Sequence, residues 1–504
     1  MKTTRWMLLA AGLMSAGCTY AGPLKWVTLG DAAYAELRKT VPQATAKASR
    51  AGQNEALHVV PLDEDLLPLL SAAVHRDLKR CGGFFVHNTE GDAMQAIAGA
   101  PVAVAALTRP SYTIDNQTTV NSLLPQLQES NITQTIVDMS SFANRYYKTV
   151  NGSDAANWLK QKWTTMASGR SDITVTQFAH TGYNQTSVIL TISGTDNGSE
   201  VIVLGAHLDS INLSGNGETS HSPGADDDAS GIASLTEALR VMINTGYKPR
   251  RTIKFIGYAA EEAGLLGSQD IAANFKNSAV NVVGVMQLDM TNYKGSVNDI
   301  YIYTDYTDSL QNDFVAKLAA TYLPALKVGY DKCGYGCSDH ASWNAKGYPA
   351  SLPFEAAFNR DNPYIHTAND TYANSGNQAA HALKFARLAA AYAVELGSDG
   401  PGTPGGTDKV ETFTGSLAAG QQKSYGPFKA GIGTFKAETS GTGDADLYVR
   451  KSAVPTTSTY TCKSDGSSAT EVCSFSMTAN GDVYVLVRGY TSTSYALKVT
   501  YKPQ

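Results

Sequence analysis

Between about residues 111 and 397 the chain alternates between two hydrophobic periods. Residues 188–193, 201–205, 252–258 and 282–288 are β-rich and nearly continuously apolar, as expected of strands covered on both faces. Between the second and third of these, Ile232, Leu235, Leu239 and Met242 recur at helical spacing, and Gly246 follows as a stop signal. Strands interleaved with helices predict an α/β fold with a mostly parallel central sheet flanked by helices. Residues 22–106 are Ala-rich with helical-looking stretches such as 66–78. Residues 397–408, GSDGPGTPGGTD, hold no apolar side chain to bury and read as a linker. Beyond them, alternating stretches rich in Tyr, Val and Thr, such as 446–450 and 483–488, are separated by Gly/Ser turns and predict a small all-β sandwich.

The chain's start adds a destination. Lys2 and Arg5 precede an apolar run over 6–14 and then small residues, the three-part layout of a secretory signal peptide. That run is shorter than the roughly 20 residues a membrane-crossing helix needs, and no later run of that length is free of charge. Cleavage after Ala21 fits the small-residue rule, and Ser15-Ala16-Gly17-Cys18 offers lipoprotein anchoring through Cys18 as the alternative. The expected organisation is therefore a signal peptide (1–21), an N-terminal propeptide (22–106), a catalytic domain (107–397), a linker (398–408) and a C-terminal sandwich (409–504). An ordinary structural domain is the other reading of 22–106. The cysteines favour removal: Cys333 with Cys337 and Cys462 with Cys473 form close pairs suited to an oxidising compartment, while Cys18 and Cys81 are left over in segments that would be discarded. With 43% apolar and 17% charged residues the chain can pack sizeable cores, and a net charge of −5 provides no broad basic surface, which argues against nucleic acid as a partner. A soluble, exported monomer is expected.

In α/β sheets ligands collect beyond the carboxyl ends of the strands, and here three apolar runs end in potential ligands. VIVLGAHLD ends in His207 and Asp209, TIKFIGYAAEE in Glu261 and Glu262, and VVGVMQLD in Asp289. Gly224-Ala225-Asp226-Asp227-Asp228 precedes the predicted helix, and His366 follows much later in Pro363-Tyr364-Ile365-His366-Thr367. Singly, each has an ordinary explanation: a hydrogen-bonded surface histidine, an N-cap facing a helix dipole, a solvated glutamate pair. Together, after nonpolar strands, they describe a site. Zinc takes imidazole nitrogen and carboxylate oxygen and keeps a position open when catalytic. Two histidines and three carboxylates suffice for two metals if one aspartate bridges, and such a pair polarises a carbonyl and activates water. A further carboxylate must move the proton. Either Glu261 or Glu262 can do so while the other binds metal.

GAHLDS, PGADDDASG, YAAEEAGLLGS, QLDM and PYIHT, in this order, resemble the secreted bacterial leucyl aminopeptidases of the co-catalytic dizinc exopeptidase family. The resemblance implies two Zn2+ ions, with His207 and Asp289 on one, Glu262 and His366 on the other, and Asp227 bridging. It makes Glu261 the general base and acid, places Asp209 beside His207 as a ring-orienting acceptor, and implies a cis Asp227-Asp228 peptide. It further implies a prosegment, a C-terminal prepeptidase-type sandwich, and peptides with a free N-terminus and a leucine or other hydrophobic first residue as substrates. Leu265, Met290 and Phe354 are candidates for the pocket that takes that residue.

Residues 333–340, CGYGCSDH, admit a third metal site, but in an exported chain a Cys333–Cys337 disulfide is the stronger reading, and the resemblance implies it too. Tyr335 in that loop is a candidate donor to the tetrahedral intermediate. The rival functions are another hydrolase or a glutaminyl cyclase on the same scaffold, and a noncatalytic surface binder. A serine hydrolase would need G-x-S-x-G, which the sequence lacks.

Overall fold

The computed structural model describes residues 22–51, 55–78, 83–98, 110–398, 409–431, 433–477 and 481–503. The expected signal peptide, Cys18, Cys81, the propeptide boundary at 106 and most of the linker lie outside them. The chain divides into two compact units between Gly400 and Pro401.

The first unit begins with β1 (Leu24–Gly30), α1 (Asp31–Thr40), β2 (Ala48–Ala51), β3 (Ala56–Asp63), α2 (Leu67–Leu78), β4 (Phe84–His87) and α3 (Glu90–Ala98). Its strands form an antiparallel sheet in the order β2-β3-β1-β4. Leu67, Leu70 and Val74 of α2 form a helical stripe and pack with Val27, Leu29, Val60 and Leu62 of the sheet. The adjacent stripe, Ser71 and His75, is polar and equally buried.

Next come α4 (Gln117–Leu123), α5 (Glu129–Ser140), α6 (Val150–Met166), β5 (Ile173–Phe178), β6 (Ser187–Ile192), β7 (Asn197–His207), α7 (Ala229–Asn244), β8 (Arg251–Tyr258), α8 (Leu266–Asn277) and β9 (Asn281–Gln287). They are followed by β10 (Ile300–Tyr303), α9 (Ser309–Tyr322), β11 (Val328–Asp331), α10 (His340–Ala345), β12 (Ala350–Phe354) and α11 (Ala380–Ser398). The eight strands run β11-β10-β12-β9-β7-β8-β6-β5. The sheet is mixed. Its centre, β12-β9-β7-β8, is parallel, while β6 pairs antiparallel with β8, β5 antiparallel with β6, and β10 antiparallel with β12. Connection length accounts for the edges, since β5 and β6 are joined directly without a helix and so pair as a hairpin, whereas α7 carries the chain from β7 to a parallel β8. Helix α7 is buried on nearly every face, packed between the sheet, α5 and α11, which explains its run of apolar and small residues.

The second unit has β13 (Lys409–Leu417), β14 (Gln422–Ala430), β15 (Gly433–Thr442), β16 (Ala445–Lys451), β17 (Cys462–Ser464), β18 (Val472–Met477), β19 (Gly481–Gly489) and β20 (Thr493–Tyr501). They form two four-stranded antiparallel sheets, β13-β20-β15-β18 and β14-β19-β16-β17, around a core that includes Phe435, Leu447, Val485 and Leu497. A Cys462–Cys473 disulfide ties β17 of one sheet to β18 of the other.

Candidate metal centre

Three neighbouring parallel strands finish on one sheet edge, and the register sets His207 at the end of β7 opposite Tyr258 at the end of β8. Asp289 follows just beyond β9, and Glu261 and Glu262 just beyond β8. His207, Asp227, Glu261, Glu262, Asp289 and His366 are all buried.

Their ligand atoms converge. Asp227 divides its carboxylate, with Oδ1 2.9 Å from His207 Nε2 and Oδ2 2.9 Å from His366 Nε2. Asp289 Oδ1 lies 3.5 Å from His207 Nε2, and Glu262 Oε2 lies 3.3 Å from His366 Nε2. His207 Nε2, Asp289 Oδ1 and both oxygens of Glu261 and Glu262 have no hydrogen-bond partner among the described residues. Buried polar atoms left in this state are costly unless a cation satisfies them, and imidazole with carboxylate is the donor set that suits zinc. The residues therefore fit a zinc centre.

Electrostatics without metal lead to the same place. Burial opposes charge on His207, yet Asp289, Asp209 and Asp227 outweigh it and raise its pKa well above the usual value. His366 is lifted to about 10, Glu262 and Asp227 overcoming its burial. Burial also opposes ionisation of Glu262, but His366 draws it down to about 2. Asp227 is held well below the usual carboxylate range, its two histidines outweighing burial. In the metal-free chain protons on the imidazoles supply the positive charge that a metal would bring. Glu261 lies outside this exchange: burial pushes its carboxyl well above the usual range.

Behind the converging groups stands a layer of carboxylates that fix the backbone. Asp228 caps α7 by accepting from Gly231 N at 2.9 Å, and also accepts from Met290 N and His207 N at 3.0 Å each. One side chain thereby pins the segments that carry Asp227, Asp289 and His207. Asp370 accepts from Asp226 N and Asp227 N at 3.1 Å each, and Asp226 from Asn292 N at 3.0 Å. Arg145, wholly buried, donates to the carbonyls of Leu208 and Gly224 at 2.8 Å and to that of Pro223, giving this acidic region a fixed positive charge. Ala260, Met290 and His366 adopt left-handed backbone at φ of 55°, 53° and 59°, strain that persists where surrounding structure dictates it. The Asp227-Asp228 peptide is cis.

Asp209 lies beside the His207 ring, its backbone oxygen 3.2 Å and its carboxylate 3.4 Å from Nδ1. Its carboxylate bonds go instead to Glu261 N at 2.9 Å and Glu262 N at 3.2 Å, so it also aims the glutamate pair. Cys333 and Cys337 form a disulfide, which removes the third-metal reading of that loop. The loop reaches the centre through Ser338, whose Oγ donates to Asp289 Oδ2 at 2.5 Å. Tyr335 packs with Tyr301, Tyr303 and Leu352. Of the three pocket candidates, Leu265 packs with Phe85 and Ala341, Phe354 packs against the tyrosine cluster, and Met290 is buried beside Asp289 in sequence.

Sequence reasoning missed Asp226, Asp228, Asp370 and Arg145 as supports, although the Asp triplet was visible. It also found no ligand in residues 22–106, whereas α2 brings His75 Nε2 to 2.9 Å from Glu262 Oε2. The one available signal was the Ser71–His75 spacing, which places both on one helix face.

Comparison with known proteins agrees with this geometry. Residues 187–392 match the description of peptidase family M28, and residues 429–489 match the bacterial pre-peptidase C-terminal domain. Leucine aminopeptidase 1 of Arthroderma otae is 36% identical over 336 residues, covering 64% of this chain and 87% of that protein. A probable aminopeptidase of Saccharomyces cerevisiae is 33% identical over 306 residues, covering 58% and 80%. The crystal structure of the LapA aminopeptidase of Legionella pneumophila superposes with a TM-score of 0.63 at 33% identity, covering 75% of this chain and all of that one. Identity at this level across most of a relative's length, joined to a zinc-compatible donor set, leads to one assignment: the chain belongs to peptidase family M28, as a zinc-dependent metallo-aminopeptidase with a pre-peptidase C-terminal domain.

Proposed function

We propose that this enzyme is exported, loses residues 22–106, and removes leucine or other hydrophobic residues from peptide N-termini at a two-zinc centre. The observation that carries the two-metal reading is Asp227, whose two oxygens stand 2.9 Å from two different imidazoles. His207 and Asp289 would hold one zinc, Glu262 and His366 the other, with Asp227 between them. Bound zinc supplies Lewis acidity toward the scissile carbonyl and toward water. Glu261 is the carboxylate left over. Its backbone is fixed by Asp209, its two carboxylate oxygens have no hydrogen-bond partner among the described residues, and it takes a proton from the attacking water and returns it to the departing amine. Export is supported by the N-terminal layout around Lys2, Arg5 and residues 6–14 and by the two disulfides. Among the described residues no helix is long and apolar enough to cross a membrane.

The test is Glu261→Gln. We expect two zinc ions per chain, as in the parent, with turnover of a leucyl anilide reduced by about 10²–10⁴-fold, the usual worth of a general acid–base group. Near-normal turnover removes Glu261 from the role. A preparation that acts on N-terminal Gln peptides but leaves the leucyl anilide intact assigns the scaffold to cyclisation.

A further inference from the structure

Resting on that two-zinc reading, and going beyond it, we infer that in the uncleaved chain His75 is a third protein ligand of the metal held by Glu262 and His366. The N-terminal unit, the β1 to α3 part of the first compact unit, then closes the centre by coordination as well as by covering it.

The geometry of His75 matches that of the other two histidines. It is fully buried, its ring meets that of His366 edge-on at 4.4 Å between centroids, and ligand atoms of His75, Glu262 and His366 all lie within 4.8 Å of one another. Its Nδ1 stands 2.6 Å from the Ser71 backbone oxygen. A carbonyl only accepts, so Nδ1 is the donor to it and Nε2 is the nitrogen left to bind a metal. Nε2 faces Glu262 Oε2 at 2.9 Å. A nitrogen and a carboxylate oxygen at this distance are bridged either by a proton or by a metal cation. His207 and His366 meet Asp227 in the same way at the same distance, and the carbonyl bond at the far ring nitrogen is the arrangement that orients metal-bound histidines.

Other contacts seat the unit. One turn before His75, Ser71 Oγ donates to the Glu262 backbone oxygen at 2.5 Å. From β4, the Phe84 ring occupies the space that a side chain at Gly264 would fill, and Phe85 lies in the same way against Gly336 in the disulfide loop. Phe85 also packs on Leu265 and Ala341. A catalytic zinc needs an open position, and an imidazole there would leave the metal closely held and inert. Departure of the N-terminal unit would restore the position without altering Asp227, Glu262 or His366.

The test uses the full chain, its N-terminal unit intact by mass, loaded with Co2+ and examined by paramagnetic proton NMR. Each metal-bound imidazole with a ring proton gives one strongly shifted, solvent-exchangeable signal. We expect two cobalt ions per chain and three such signals. His75→Ala and His75→Phe should each keep both ions, lose one signal, and raise leucyl-anilide turnover of the uncleaved chain at least tenfold. Two cobalt ions with only two signals, or a His75 ring proton found unshifted as in a plain ion pair with Glu262, overturns the assignment and leaves the two-metal reading standing. Fewer than two cobalt ions in the parent overturns both. Should the variants misfold, the signal count in the parent still decides.

Discussion

The two halves of the candidate metal centre meet at Asp227 and differ in what holds them in place. His207 and Asp289 come from the ends of adjacent parallel strands, β7 and β9, and Asp228 ties the backbone of both segments to the first turn of α7. Glu262 and His366 come from loops. Glu262 depends on Asp209 for its backbone position, and His366, at φ 59°, is held through the bond from Leu213 N to its backbone oxygen at 2.9 Å. The first half is built within regular structure, whereas the second is built on loops and faces His75 of α2. If residues 22–106 are lost as proposed, the pair built on regular structure would stay the same, and the loop-built pair would be the one whose surroundings change.

The largest effect should come from Asp227→Ala, which removes the atom pair common to both halves. Metal analysis is expected to show neither ion retained, with a loss in kcat/KM exceeding the roughly 10²–10⁴-fold of a missing general base. One ion retained on His207 and Asp289 with measurable turnover would show that the halves work independently. A smaller effect should separate them. Asp209→Asn weakens the acceptor for Glu261 N and Glu262 N, whereas Ser338→Ala frees Asp289. Outer supports of metal ligands are worth roughly 10–100-fold in affinity or activity, so each variant is expected to lower the affinity of one ion more than that of the other, as read by stepwise zinc titration. Equal loss of both ions in either variant would break the distinction.

How much of this was visible in the sequence follows the same division. His207, Asp289 and the glutamate pair end apolar runs, and a strand end is a position that periodicity alone can locate. Val188, Ile202, Phe255 and Val283 are buried where continuous apolar runs place them. His366 and Asp227 needed the ordered set of motifs, because a loop histidine and an N-capping aspartate have no periodic signature. The antiparallel sheet edges were not legible, since strand direction depends on connections whose course a hydrophobic pattern does not record. His75 was hidden for a different reason. On a short helix, a lone histidine one position beyond Val74 of the apolar stripe looks like a solvated neighbour, and only the fold shows that its face meets Glu262.

The smallest effect concerns proton and metal competing for the loop-built half. In the metal-free chain His366 is lifted from 6.5 to about 10 by Glu262 and Asp227 against its burial, so its contribution to stability is complete below pH 6.5 and is lost as pH rises through about 10. Glu262 is lowered from 4.5 to about 2 by His366, again against burial. Its contribution is complete above pH 4.5 and is lost as pH falls through about 2. Both contribute fully only between pH 4.5 and 6.5, where the melting temperature of the metal-free chain should be highest, falling by a few degrees toward pH 10. Zinc demands a neutral imidazole, so its binding displaces protons and strengthens as pH rises. The gap in melting temperature between zinc-loaded and metal-free chains should therefore widen from pH 6.5 to 9, and His366→Phe should flatten the metal-free profile over that range. A metal-free melting temperature that climbs from pH 7 to 10 would mean that the loop-built half is not held together by these charges.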